Sequence, residues 1–341
     1  MNIIVAANIT PFLRGGADFH INGLVAALRE HGHDVDLIRL PFFFHPLSAI
    51  GGQMDYCAQL DLSSPNGQRV DKLISLQFPA FAIRHPNHIA WVMHQHRAVY
   101  ELYDEQQADI ELAGLRQRIT AFDNDCFARC RQVFANSQRV AERLYQYNQV
   151  SATPLYHPPA GSERFYCGEA LPYIYCPSRF ETLKRQQLLL EALGRMDSPP
   201  SVVFSGIGGT LEQCRQLAED YGLQDKVRFL GHVSEEEKYA FYAHASAVFF
   251  APYDEDYGYI TLEAMLSGKP VLTCTDSGGP LEFVQHGETG WVCAADAAEI
   301  ADTLGWIVAN PGLVRDMGQA ARQSIQDKDI SWQQVIASLL G

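Results

Sequence analysis

The sequence predicts an α/β protein built from two Rossmann-like domains whose parallel sheets face a central cleft. Three observations predict it. Short apolar runs alternate with helix-spaced apolar patterns through most of the chain, which is the signature of parallel strands covered on both faces. That alternation stops at residues 154–172, which hold Pro154, Pro158, Pro159, Pro172, Gly161 and Gly168 and look like an interdomain connection. The length of 341 residues suits two domains of roughly 150 residues better than one core.

The elements follow in order. Asn2–Ala7 is an apolar strand, followed by a loop containing Arg14, Gly15 and Gly16. A helical pattern from Phe19 to Leu28 closes at His31-Gly32-His33, and Val35–Leu40 is the next strand. Lys72–Leu76 and Ile89–Met93 are further buried strands, each ending in polar residues. A long helical stretch, Leu112–Cys130, leads to the strand Gln132–Ala135, and Ser137 is placed to cap a helix over Arg139–Tyr147. After the proline-rich stretch, the strands Tyr173–Cys176, Val202–Ser205, Val227–Leu230, Val248–Ala251 and Val271–Cys274 alternate with helices over Gln186–Leu193, Leu211–Tyr221, Glu235–Ala243 and Ile260–Ser267. Ligands of such sheets bind at the carboxyl ends of the strands.

Composition narrows the classes of function. No apolar run reaches the ~18 residues of a membrane-spanning helix, and the first residues resemble a strand rather than a signal peptide. Eight cysteines include no Cys-x-x-Cys pair, so neither a zinc ribbon nor a thioredoxin-type site is expected, and the chain reads as reduced and cytoplasmic. A formal charge of −14 argues against nucleic-acid binding. The charge is uneven: residues 1–160 carry 13 Lys and Arg against 15 Asp and Glu, residues 161–341 carry 13 against 25. The near-neutral first half gathers Arg116, Arg118, Arg129, Arg131, Arg139 and Arg143 on one helical stretch. These either solvate a helix face or meet an anionic acceptor or the inner face of a membrane as a peripheral contact.

The most informative segment is Glu255–Glu263, two carboxylates separated by seven residues. It follows a buried strand and opens a helix, so the free amides after Gly258 make an anion site. Glu263, about one turn in, can accept from ligand hydroxyls, and Glu255 can accept from a second set. Arg179 and Lys184 follow the strand at 173–176, and two such cations at a strand's carboxyl end suit a diphosphate; ordinary surface charge is the alternative for both pairs. The fingerprint Gly-x-Gly-x-x-Gly is absent at Gly15-Gly16, and the stretch from Gly206 to Leu211 also misses it, which weakens a nicotinamide role. No phosphate-binding P-loop occurs. His94 and His96 end a strand and could share a metal, but no Cys or carboxylate nearby completes a set, so a polar ligand contact or a structural histidine is favoured.

With these residues laid out, the chain resembles the family 4 glycosyltransferases (glycosyltransferase group 1), retaining enzymes of the GT-B fold. The resemblance runs from Gly15-Gly16, His94 and Ala135-Asn136-Ser137 through the segments at 157–165, 178–193 and 227–245, then Glu255–Glu263 and 277–283. It implies an acceptor-side domain over 1–160, a donor domain over 161–322 and a C-terminal helix, 323–341, crossing back to the first. Arg179 and Lys184 would bind the donor diphosphate, Glu263 the ribose and Glu255 the sugar hydroxyls. Backbone at Gly16 and at Gly258, Tyr259 and Ile260 would hold phosphate and sugar oxygens. His94 would contact the sugar near the reacting carbon, and His232-Val233 would read the base. Gly15, Gly206 and Tyr257 complete the expected donor set. The family usually has glycine where this chain has Asp256. The implied reaction moves a hexosyl unit from a nucleotide sugar, UDP favoured over GDP, to a saccharide or lipid-linked acceptor, without a metal or other cofactor. Retention would follow from same-face attack, the leaving phosphate taking the acceptor's proton. From the family's breadth the acceptor is expected in bacterial surface polysaccharide biosynthesis. A nucleotide-sugar epimerase and a non-catalytic nucleotide-sugar binding protein are the alternatives.

Overall fold

The computed structural model describes residues 1–12 and 15–341, and its chain divides into two units, Met1–His157 with Ser331–Gly341, and Pro158–Ile330. The first is built from β1 (Asn2–Ile9), α1 (Gly16–Glu30), β2 (Asp34–Pro41), α2 (Leu47–Gln59), β3 (Lys72–Ser75), β4 (His88–Val92), α3 (Ile110–Arg129), β5 (Gln132–Ala135), α4 (Gln138–Asn148) and β6 (Thr153–Pro154). The second contains β7 (Tyr173–Pro177), α5 (Gln186–Leu193), β8 (Ser201–Ser205), α6 (Leu211–Asp220), β9 (Val227–Phe229), α7 (Glu235–His244), β10 (Ala247–Phe249), α8 (Tyr259–Leu266), β11 (Val271–Cys274), β12 (Gly290–Cys293), α9 (Ala297–Ala309) and α10 (Pro311–Asp327). The last helix, α11 (Trp332–Leu340), belongs to the first unit.

Each unit holds one six-stranded sheet, ordered β2-β1-β3-β4-β5-β6 and β12-β11-β10-β7-β8-β9. Every pairing is parallel. Parallel strands need covered faces, which is why β3, β4 and β11 are buried along their whole length. In the first unit Ile21, Leu24 and Leu28 of α1 cover one face with Val335, Ile336 and Leu339 of α11, and α2, α3 and α4 cover the other. The buried Lys72 ammonium donates to the Leu339 carbonyl at 2.6 Å, one of the last-turn carbonyls that a helix leaves unpaired. Under α1, the rings of His20 and His157 stack at 3.9 Å beside Trp91.

The structure differs from expectation in several places. The boundary between the second unit and the final segment lies at 330/331, not 322/323, because α10 packs on α8 and β12 within the second unit. The strands β6 and β12 and the helices α2, α9 and α10 were not anticipated. The six arginines do not share one helix face: they are spread over α3, α4 and the turn between α3 and β5. Arg143 is buried against Glu101 at 3.2 Å, Arg118 pairs with Asp55 at 2.7 Å, and Arg129 pairs with Asp125 at 3.3 Å. Among the described residues, no helix is long and apolar enough to cross a membrane.

Candidate active site

In the second unit the strand order reverses between β7 and β10. Helices therefore leave their carboxyl ends toward opposite faces, opening the crevice where doubly wound sheets bind ligands. The loops after these two strands carry Arg179, Lys184, Glu255 and Gly258.

The loop after β7 is pinned at both ends. Gln186, buried at the start of α5, donates to Ser178 Oγ at 2.5 Å and to the Arg179 carbonyl at 2.8 Å. Gly206, at φ +129°, sits so close beneath that a Cβ would lie 2.0 Å from the Ser178 carbonyl oxygen. The structure thus gives Gly206 a packing role under the Arg179 loop. Arg179 itself is half exposed and pairs with its neighbour Glu181 at 3.0 Å. Arg185 has no counterpart among the expected residues. Its guanidinium takes both oxygens of Asp276, at 2.7 and 2.8 Å, and donates to the carbonyls of Ala251 and Pro252. A planar fork with five donors suits such a junction, and here it ties the loops after β7, β10 and β11 together.

The loop after β10 is zipped to the one after β11: the Asp254 and Glu255 amides donate to the Asp276 and Ser277 carbonyls at 2.9 Å, and Gly279 N–H donates to the Glu255 carbonyl at 2.8 Å. Glu255 then reaches Lys184, with Oε2 to Nζ at 2.5 Å and both side chains mostly buried. Gly258 precedes α8 at φ +86°, a left-handed conformation that favours glycine. It turns the chain so that the amides of Tyr259 and Ile260 open the helix. Tyr257 is buried against Tyr259 and Phe283.

Glu263 lies five residues into the same segment and is nearly buried, at 9% exposure. Its Oε2 accepts from the Tyr242 hydroxyl at 2.6 Å, and Lys238 Nζ stands 3.6 Å from Oε1. Burial pushes the carboxyl above its ordinary range, while Lys238 and the Tyr242 hydroxyl pull it back. Tyr242 and Lys238, four residues apart on α7, share a helix face. His232, exposed, and Val233, half buried, immediately precede that helix.

The remaining expected residues lie in the first unit, at the carboxyl ends of β1 and β4. Gly15 caps α1 and exchanges hydrogen bonds with Asp18, which pairs with Arg39 at 3.0 Å; Gly16 is the first helical residue. Arg14 lies outside the described residues. His94 Nδ1 is 2.7 Å from the Gln95 carbonyl, which can only accept. Nδ1 therefore carries a proton and donates it to that carbonyl. His96 does not join it: its ring is buried among Phe42, Phe44 and Phe78 and held neutral by burial, its pKa lowered to about 4. Sequence reasoning missed Arg185, Lys238 and Tyr242; the available signal for Arg185 was its position next to Lys184, and Lys238 and Tyr242 carried none.

The second unit is thus a doubly wound α/β sheet with paired cations, carboxylates and a helix start at its reversal. Residues 168–324 match the family described as glycosyl transferases group 1. The α-1,3/1,6-mannosyltransferase of Dictyostelium discoideum is 33% identical over 118 residues, 35% of this chain and 28% of that protein. The GDP-mannose-dependent α-(1-6)-phosphatidylinositol monomannoside mannosyltransferase of Mycobacterium tuberculosis is 34% identical over 174 residues, 47% of this chain and 44% of that protein. The chain thus spans less than half the length of these relatives. Over its whole length it has the GT-B fold: sucrose-phosphate synthase from Thermosynechococcus elongatus superposes with a TM-score of 0.79 at 17% identity, covering 99% of this chain and 98% of that one. Anabaena HepE in complex with UDP and glucose gives 0.72 at 17% identity, covering 99% of both.

Proposed function

We propose that the chain transfers a hexosyl unit from a nucleoside diphosphate sugar to a saccharide or lipid-linked acceptor, with retention and without a metal. The observation that carries this reading is the contact between Lys184 and Glu255. In such a donor one oxygen joins the phosphate to the anomeric carbon. A cation for the diphosphate and a carboxylate for the sugar hydroxyls must therefore be neighbours, as these two are. The order of the other groups supports the same ligand. Lys184 and Glu255 are paired, Glu255, the α8 amides and Glu263 follow one another along one segment, and Glu263 contacts α7, which His232-Val233 precede. A donor has the matching sequence of sugar, diphosphate, ribose and base.

In this mechanism Arg179, Lys184 and the α8 amides stabilise the charge that develops on the departing diphosphate. Positive charge grows at the anomeric carbon, and Glu255 holds the sugar hydroxyls beside it. The leaving phosphate takes the acceptor's proton as it attacks from the same face. No residue decides between UDP and GDP. Relatives matched over part of the chain are named mannosyltransferases, one of them GDP-mannose-dependent, so a GDP-linked hexose stands beside a UDP-linked one. The test is release of nucleoside diphosphate from a panel of UDP and GDP sugars, with and without acceptor, in chelator. Release that continues in chelator supports transfer without a metal. Release from none of the panel, with binding intact, would instead indicate a binding protein; interconversion of the sugar without release would indicate an epimerase.

A further inference from the structure

We infer that Lys238 is a positioning residue for nucleotide binding: it holds Glu263 as a carboxylate so that Glu263 accepts hydrogen bonds from both hydroxyls of a ribose. The inference rests on the ribose role proposed for Glu263. A neighbouring pair of hydroxyls that both donate needs acceptors on both carboxyl oxygens, which only the ionised form presents. Burial works against that form, so a buried carboxylate in this role requires a counter-charge.

Several titratable groups surround Glu263: Lys238, Tyr242 and Glu235 from α7, Tyr175 from β7 and Tyr259 from α8 itself. Of these, Lys238 alone is positively charged. Its Nζ lies 3.6 Å from Oε1, close enough to favour the charged carboxyl. Tyr242 bonds only Oε2, and a carboxylate oxygen can accept twice. Lys238 is itself fixed. Its ammonium lies 5.7 Å from the Phe165 ring and 5.3 Å from the Tyr239 ring, within the range of cation–π attraction, and it bonds Glu235 at 2.8 Å. This gives the segment at 158–165 a purpose within the second unit: Phe165 walls the lysine, and Arg164 pairs with Glu236 at 2.9 Å on the same helix.

The test is calorimetric binding of UDP and GDP, and of their 2′,3′-dideoxy counterparts, to the full chain between pH 6 and pH 8.5. The nucleotide's own titration is common to all variants and cancels in their ratio. Lys238→Met should lose roughly tenfold in ribonucleotide affinity, relative to wild type, as pH falls from 8.5 to 6. Without its counter-charge the carboxyl holds a proton more readily as pH falls. Lys238→Arg should restore the wild-type profile, and dideoxy nucleotides should not respond. Glu235→Gln, at an exposed position, frees Lys238 for Glu263 and should shift the pH midpoint downward, which tests the idea even if Lys238→Met does not fold. A Lys238→Met profile parallel to wild type, or an equal loss for dideoxy nucleotides, overturns the inference. If Glu263→Gln fails to separate ribose from dideoxyribose, the ribose role itself is wrong.

Discussion

The two units share an architecture and differ in where they keep their ionisable groups. In the second, order β9-β8-β7-β10-β11-β12, the cations and carboxylates gather at the strand-order reversal: Lys184 with Glu255, Arg185 with Asp276, Lys238 with Glu263. In the first, the reversal falls between β1 and β3 and is bridged through Asn8, whose amide donates to Gln77 Oε1 at 2.9 Å and whose side chain donates to the Phe78 carbonyl at 2.5 Å, with the Arg39–Asp18 pair beside it. That unit buries titratable groups inside its body instead: His20, His88, His96, His157 and Asp123. A parallel sheet of this kind thus tolerates charge at its ligand edge and neutral histidine in its interior. The two placements answer differently to pH and to mutation.

Acid should expose the largest difference. Burial lowers all four histidines, His88 and His96 to about 4, His157 to about 3, and His20 well below its ordinary value. The unfolded chain binds protons near pH 6.5 that the folded unit refuses. Stability therefore falls as pH drops below 6.5, by about 1.4 kcal/mol per pH unit for each histidine. Asp123, raised to about 7 by burial, works the other way between pH 7 and 3.8 and offsets one of them. Peptide-resolved hydrogen exchange from pH 7 to 4.5 should show Met1–His157 opening before Pro158–Ile330. The reverse order would break the comparison.

Next in size is Arg185→Ala. Losing the fork to Asp276 and two carbonyl bonds should cost the second unit about 2–3 kcal/mol, read as an earlier urea transition in that unit alone. A change under about 0.5 kcal/mol would mean that the three loops hold together without it. The smallest stability effect belongs to Arg179→Ala, below about 0.5 kcal/mol, because the side chain is half exposed and its partner Glu181 is equally wet. Its turnover should still fall by tenfold or more if it meets a diphosphate. Unchanged turnover would leave Lys184 as the diphosphate's cation and remove Arg179 from the site.

Much of this was legible beforehand, for a local reason. Strands such as Ile89–Met93 and Val271–Cys274 announce themselves as apolar runs, and Glu255, Gly258 and Glu263 lie within one short segment. The missed elements carry residues that mask their type. Gly51-Gly52 interrupts the pattern of α2, Pro311 opens α10, and β6 is two residues long and includes Pro154. The pairings were hidden because they are remote: Lys184 lies 71 residues from Glu255, and Arg185 lies 91 from Asp276. Periodicity reports which face a side chain occupies, not which charge meets it from another loop. Lys238 was in view as part of the run that opens α7, where Ser234 and Glu237 cap the helix, yet nothing local tells it apart from the three acids before it.

The return of Ser331–Gly341 to the first unit has a consequence for synthesis. The whole second unit, Pro158–Ile330, is translated between two pieces of the first. At ~5–20 residues per second, the ribosome takes roughly 10–35 s over that insertion. Throughout that interval the nascent first unit lacks α11: its α1 face is half covered, and the Lys72 ammonium has no Leu339 carbonyl to bind. The second unit carries every one of its own strands and can close first. A chain released before Ser331 would therefore present a finished second unit attached to an unfinished first one, a natural client for chaperones until α11 docks.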